Sequence, residues 1–133
     1  MDEFTLMVKA AIAAVGGWVA HWLGGLDQLL TALIMLVVLD YASGLIAAWH
    51  NKELSSRVGF QGIAKKIMTL AVVALAYTVQ DVAGIPLREI TITFFIVNEA
   101  LSILENAAET GLPIPEKLKA VLTQLKGDSK NNG

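Results

Sequence analysis

Residues 29–49 read LLTALIMLVVLDYASGLIAAW, twenty-one residues broken by a single charge, Asp40, near the middle. Wound as an α-helix rising 1.5 Å per residue, such a segment reaches across a hydrocarbon core of about 30 Å. A soluble domain of 133 residues rarely needs a helix so long and so apolar. The stretch therefore predicts a membrane crossing, and its neighbours must then lie on one side of a bilayer or the other. Composition points the same way. The chain is 55% hydrophobic and only 17% charged, with a mean hydropathy of +0.59, whereas average globular chains carry about 25% charge. A net charge of -2 and the lack of a basic motif argue against a nucleic-acid partner. With no cysteine, disulfides, thiolate metal sites and cysteine nucleophiles are excluded.

Upstream, residues 4–23 (FTLMVKAAIAAVGGWVAHWL) form a candidate first crossing. Lys9 lies close enough to its start to snorkel to the interface, and Trp18 and Trp22 suit an aromatic belt at its end. Ala13, Gly16 and Ala20 share one face and would let another helix approach closely. The competing reading is an amphipathic helix lying on the membrane. The start MDEF is acidic and no cleavage site follows, so no removable signal is expected. Gly24-Gly25-Leu26-Asp27 reads as a turn, with Asp27 an N-cap for the next helix.

Downstream, NKELSSRVGFQGIAKK (51–66) sets four basic residues against Glu53 alone, a local charge of +3. The positive-inside rule makes this loop cytoplasmic, with Arg57, Lys65 and Lys66 as anchors to anionic headgroups. A third crossing follows at about 63–83, and Gly84-Ile85-Pro86-Leu87 closes it with a short outer turn. The fourth segment, about 89–109, begins ITITFFIV, which has the look of a strand. A lone strand is rejected because unpaired backbone groups cannot face lipid. As a helix, the segment gathers Asn98, Glu99, Ser102, Glu105 and Asn106 on one polar face. It inserts only if that face meets protein, water or a protonated carboxyl partner; otherwise it is interfacial or re-entrant. Pro115 opens a last amphipathic helix, residues 112–126, cytoplasmic and lying on the membrane or packed on the bundle. Residues 127–133 are expected as a flexible tail.

The sum is an all-α integral membrane protein: a transmembrane bundle over 1–111 with four crossings, then a short amphipathic helix. Four crossings put both termini and both basic regions in the cytoplasm, whereas three would place the lysine-rich C-terminus outside. The buried polarity is its costly feature. Asp40, with Ser43 and Gly44 beside it, and Asn98, Glu99, Ser102, Glu105 and Asn106 are the candidates for a pore lining or a helix interface. No metal-ligand spacing, nucleophile elbow or phosphate loop accompanies them, so neither an enzyme nor a cofactor is expected. His21 and His50 read as interfacial residues. A chain this short cannot wrap a wide channel alone, so a large opening would require oligomerisation.

The segments LDYASGLIAAWHNKELSSRVGFQGIAKKI (39–67) and FFIVNEALSILENAAETGLPIPEKLKAVLTQLK (94–126) resemble the toxin-secretion/phage-lysis holin family. The pattern runs through Asp40-Tyr41, Gly44, Leu54-Ser55-Ser56, Gly59 and Gly62 to Lys66, then Asn98-Glu99, Ser102-Ile103, Glu105-Asn106 and Pro113-Ile114-Pro115. The resemblance implies a small phage or prophage protein that accumulates in the host's cytoplasmic membrane, assembles and permeabilises it. Release of an endolysin or a toxin, and host-cell lysis, would follow. The alternatives are a non-pore scaffold, an antiholin-like regulator or a narrow ion channel.

Overall fold

The computed structural model describes residues 2–131. Among them the chain forms five α-helices: α1 (Glu3–Trp22), α2 (Gln28–His50), α3 (Ser56–Ala83), α4 (Leu87–Glu109) and α5 (Glu116–Asn131). The first three are each long and apolar enough to cross a membrane. α4 has 23 residues, carries Arg88, Glu89, Glu99, Glu105 and Glu109, and is not in that set. The protein is thus an all-helical, multi-pass membrane protein, and three of its helices are long and apolar enough to span.

Side-chain caps set three of the helix starts. Asp2, Asp27 and Ser55 each accept from a backbone N–H three residues on, at 2.7, 2.9 and 3.2 Å, satisfying donors that a first turn leaves open. The Ser55 cap moves the start of α3 to Ser56, about two turns before the expected 63, so much of the basic loop is helical. Gly59 and Gly62 lie inside that helix rather than in a turn. Their missing side chains admit Tyr41, whose hydroxyl donates to the Gly59 carbonyl at 3.3 Å; a Cβ at Gly62 would sit 3.0 Å from the Tyr41 ring. Gly84, at φ +72°, ends α3 in the left-handed conformation that glycine tolerates best.

α4 is the hub. It packs against α2, α3 and α5, whereas among the described residues α1 touches only α3. The core seam runs along α2 through Leu30, Leu33 and Val37, met by Val73 of α3 and Ile92 of α4, with Leu23 closing one end. Spacings of three and four residues put this seam on one face of α2 and carry it on to Asp40 and Ala47. The same period on α4 aligns Arg88, Ile92 and Glu99. Polar residues therefore fall in the packing seam and not on an outer stripe.

α5 runs back along α4. Leu125 and Lys126 border a groove with Ile90, Phe94 and Val97, while Glu116 and Lys119 border another with Leu104 and Ala108. Of its two expected seats, this is the one on the bundle. Its helix continues to Asn131, past the expected boundary at Lys126, so most of the predicted tail is helical. Residues 132–133 of that tail lie outside the described residues. α1 contributes no buried residue, and it meets α3 across an apolar groove of about 600 Å³ between Trp18, Trp22, Leu70 and Ala74.

Candidate functional site: a buried ion cluster between three helices

Asp40 and Glu99 stand at the midpoints of α2 and α4, on the faces those helices turn to one another. Only 5% of Asp40 and 3% of Glu99 is exposed. Lys66, from the first half of α3, reaches between them. Its Nζ donates to Glu99 Oε2 at 2.8 Å and to Asp40 Oδ2, so one ammonium bridges two carboxylates. Asn106 Nδ2 donates to Asp40 Oδ1 at 3.0 Å and also reaches Ser43 Oγ at 3.0 Å. Ser43 in turn donates to the Asp40 carbonyl at 3.1 Å, and the Ser102 hydroxyl lies beside the Asp40 carboxylate. Among the described residues no buried side-chain polar atom lacks a partner. That completeness fits the cost of an unpaired polar group away from water, about 1–3 kcal/mol.

Five of the eight candidates from the polar-face reading thus meet in one place: Asp40, Ser43, Glu99, Ser102 and Asn106. Gly44 adjoins them, since a Cβ there would stand 3.6 Å from Asn106 Nδ2. Asn98 is half-buried beside the cluster's helix face but makes none of these bonds, and Glu105 is exposed and borders the α5 groove. Of the basic anchors, Arg57 and Lys65 are exposed. Lys66 is not an anchor in this fold; it turns inward because two buried carboxylates need a cation. Among the described residues the small stripe on α1 packs against nothing at Gly16, and Ala13 is exposed, while Ala20 is half-buried.

A second buried charge was not singled out from sequence. Arg88 is 2% exposed at the opposite end of the seam. Its Nε donates to the Leu23 carbonyl at 2.5 Å, and its terminal nitrogens reach Asp27 Oδ2 at 2.8 Å, Asp27 Oδ1 at 3.2 Å and the Gly25 carbonyl at 2.9 Å. This two-pronged contact matches the planar geometry of a guanidinium to that of a carboxylate. Gln80 of α3 accepts from the Arg88 backbone N–H at 2.8 Å, which ties a third helix in. Gly24, at φ +90°, has no room for a Cβ beside the Arg88 side chain. The Arg88 hydrogen bonds, with the cap to Leu30, hold the Asp27 carboxyl down at about 2. The signal was present: Arg88 and Asp27 open two helices at the same end of an antiparallel bundle.

The two sites differ in charge balance. Arg88 meets Asp27 and, at 3.5 Å, the half-exposed Glu89, both in reach of water. Lys66 meets two carboxylates that are almost wholly enclosed. Among the described residues no three His, Asp or Glu side chains converge as a metal site.

A model of the bacteriophage holin family matches residues 17–127, which takes in both clusters. An uncharacterized protein of Listeria innocua is 39% identical over 119 residues, covering 88% of this chain and 85% of its own length. A 14.9 kDa uncharacterized protein of Clostridium perfringens is 38% identical, with 94% and 97% covered. A probable holin of Bacillus phage phi105 is 35% identical over 111 residues, with 81% and 82% covered. No solved structure matches the chain.

Proposed function

Because this chain belongs to the bacteriophage holin family, we propose that it assembles in the cytoplasmic membrane of a bacterial host and opens it, so that an endolysin or a toxin escapes and the cell lyses. The observation that carries this reading is the placement of α4's polar face. A helix with Glu99, Ser102 and Asn106 in its seam is stable in lipid only while α2 and α3 shelter them. Parting those helices would present the same groups to water, as the wall of an aqueous opening requires. The resting fold and the open state thus use one set of side chains.

In this proposal α1 to α4 all cross, and the basic α2–α3 connection faces the cytoplasm together with the N-terminus and the α4–α5 turn. α5 is amphipathic and starts at the cytoplasmic end of α4, where its Lys117 would meet anionic headgroups, before it runs back along that helix to set Lys126 beside Ile90. Exposure of the Ala13–Gly16 face of α1 leaves a close-approach surface for a second copy. The reading involves no enzyme chemistry and no cofactor. The rivals remain a scaffold, an antiholin-like regulator and a narrow ion channel. Regulated expression with a co-expressed endolysin separates them. Dye entry and endolysin release at a defined time support the holin reading. Continued growth with a sealed membrane supports the scaffold or regulator, and ion-selective conductance without protein release supports the channel.

A further inference from the structure

The mid-bundle cluster holds two acids and one base, and both acids are almost wholly enclosed by protein. The groups that face one another are Asp40 and Ser43 from α2, Lys66 from α3, and Glu99, Ser102 and Asn106 from α4. Tyr41 is turned away to the Gly59 carbonyl, and α5 sets Glu116 and Lys119 beside Glu105 and Glu109, along a separate groove. Fully ionised, the three central groups sum to one negative charge. A net charge enclosed in a medium of low dielectric costs several kcal/mol even after relaxation. Two adjacent carboxylates also repel, and a proton on one converts the repulsion into a hydrogen bond.

We propose that Asp40 and Glu99 together form a proton-binding site, holding one proton from solvent in the closed bundle. With that proton the cluster is neutral: one carboxylate against the Lys66 ammonium, and one carboxylic acid donating to a neighbouring oxygen. Release of the proton as H⁺ leaves a carboxylate without a counter-ion. The restored charge draws water between α2, α3 and α4. This deepens the holin reading and rests on it for its consequence, but proton occupancy itself can be measured on a closed, inactive protein.

The test is infrared spectroscopy of the purified chain in detergent and in lipid near pH 7, where ordinary Asp and Glu, with values near 4, are ionised. The wild-type chain should show a carboxylic-acid carbonyl band that shifts in heavy water. Asp40→Asn and Glu99→Gln should each abolish the band, because each leaves one acid for one base. Lys66→Gln should roughly double it, because two acids then lack a cation. Absence of the band from wild type overturns the proposal whatever the variants do. Its survival in either folded single-amide variant also overturns it, as does its displacement by sodium, which would mark a metal-cation site. Helicity and monodisperse elution check folding, and either amide variant suffices if the other misfolds. A chain that shows the band yet never permeabilises cells refutes the holin reading and leaves the proton site standing.

Discussion

At the Arg88 end of the bundle one guanidinium meets a two-pronged carboxylate and two backbone carbonyls, and every donor aimed inward has a fixed acceptor. At the middle, one ammonium meets two carboxylates, with amide and hydroxyl groups filling the gaps. Both tie α4 to its neighbours, but they differ in what surrounds the charge. Asp27 is half exposed, so the Arg88 staple can relax into water. Asp40 and Glu99 have no such outlet. The first arrangement suits a permanent joint between the α1–α2 turn and α4. The second is stable only while its charge count is right, which suits a joint that must later part.

Substitutions that unbalance each joint separate these roles. Lys66→Met should have the largest effect, because it leaves the buried Asp40–Glu99 pair without its cation; about 3–5 kcal/mol of bundle stability should go, read as a drop in thermal midpoint in detergent. Arg88→Met should cost less, about 1–3 kcal/mol, since it orphans two carbonyls while Asp27 stays hydrated; the same melting series checks it. If Arg88→Met proved the more damaging, the contrast between the joints would be reversed. Gly24→Ala forces a side chain into left-handed backbone and onto Arg88 and should lose more than the roughly 1–2 kcal/mol of conformational cost alone, with Gly25→Ala, where φ is +98° but space is open, losing only that conformational part.

Acid should expose the smallest effect. The Asp27 carboxyl is held at about 2, below its ordinary 3.8. A depressed carboxyl contributes stability that is complete above its unfolded value and is lost as pH falls through its folded value. The stability gap between wild type and Asp27→Asn should therefore be constant above about pH 5 and close between about pH 4 and 2. Because Asp27 is exposed, that gap should stay below about 1 kcal/mol. A gap unchanged down to pH 2 would detach the staple from the Arg88–Asp27 pair.

Much of this was legible in the chain. Apolar length alone marked α2, and the polar face of α4 was visible as a cluster within a third of a helical turn's circumference. Period decides which side chains share a face, so Glu99, Ser102 and Asn106 could be grouped before any contact was known. Period does not say which cation a buried acid will choose. Lys66 sits next to Lys65 near the start of an apolar stretch, where local context favours a headgroup anchor, and only the tertiary packing of α2 against α4 turns it inward. Asp27 was read as a cap, which it is, but its second bond depends on a partner 61 positions away. The start of α3 was missed for a local reason: the Ser55 cap begins the helix ahead of Gly59 and Gly62, two poor helix formers. Those glycines serve packing, not turning.

On this reading, the side chains hidden in the α2–α4 seam become wetted when the membrane opens. The chain has no cysteine, so Ser43→Cys and Ser102→Cys each place a single thiol in the seam. Labelling with a membrane-impermeant thiol reagent, in cells sampled before and after the onset of lysis, tests the claim directly. Both positions should resist labelling before onset and react promptly after it. Equal reactivity at both times, or a membrane that opens while both thiols stay protected, would contradict it.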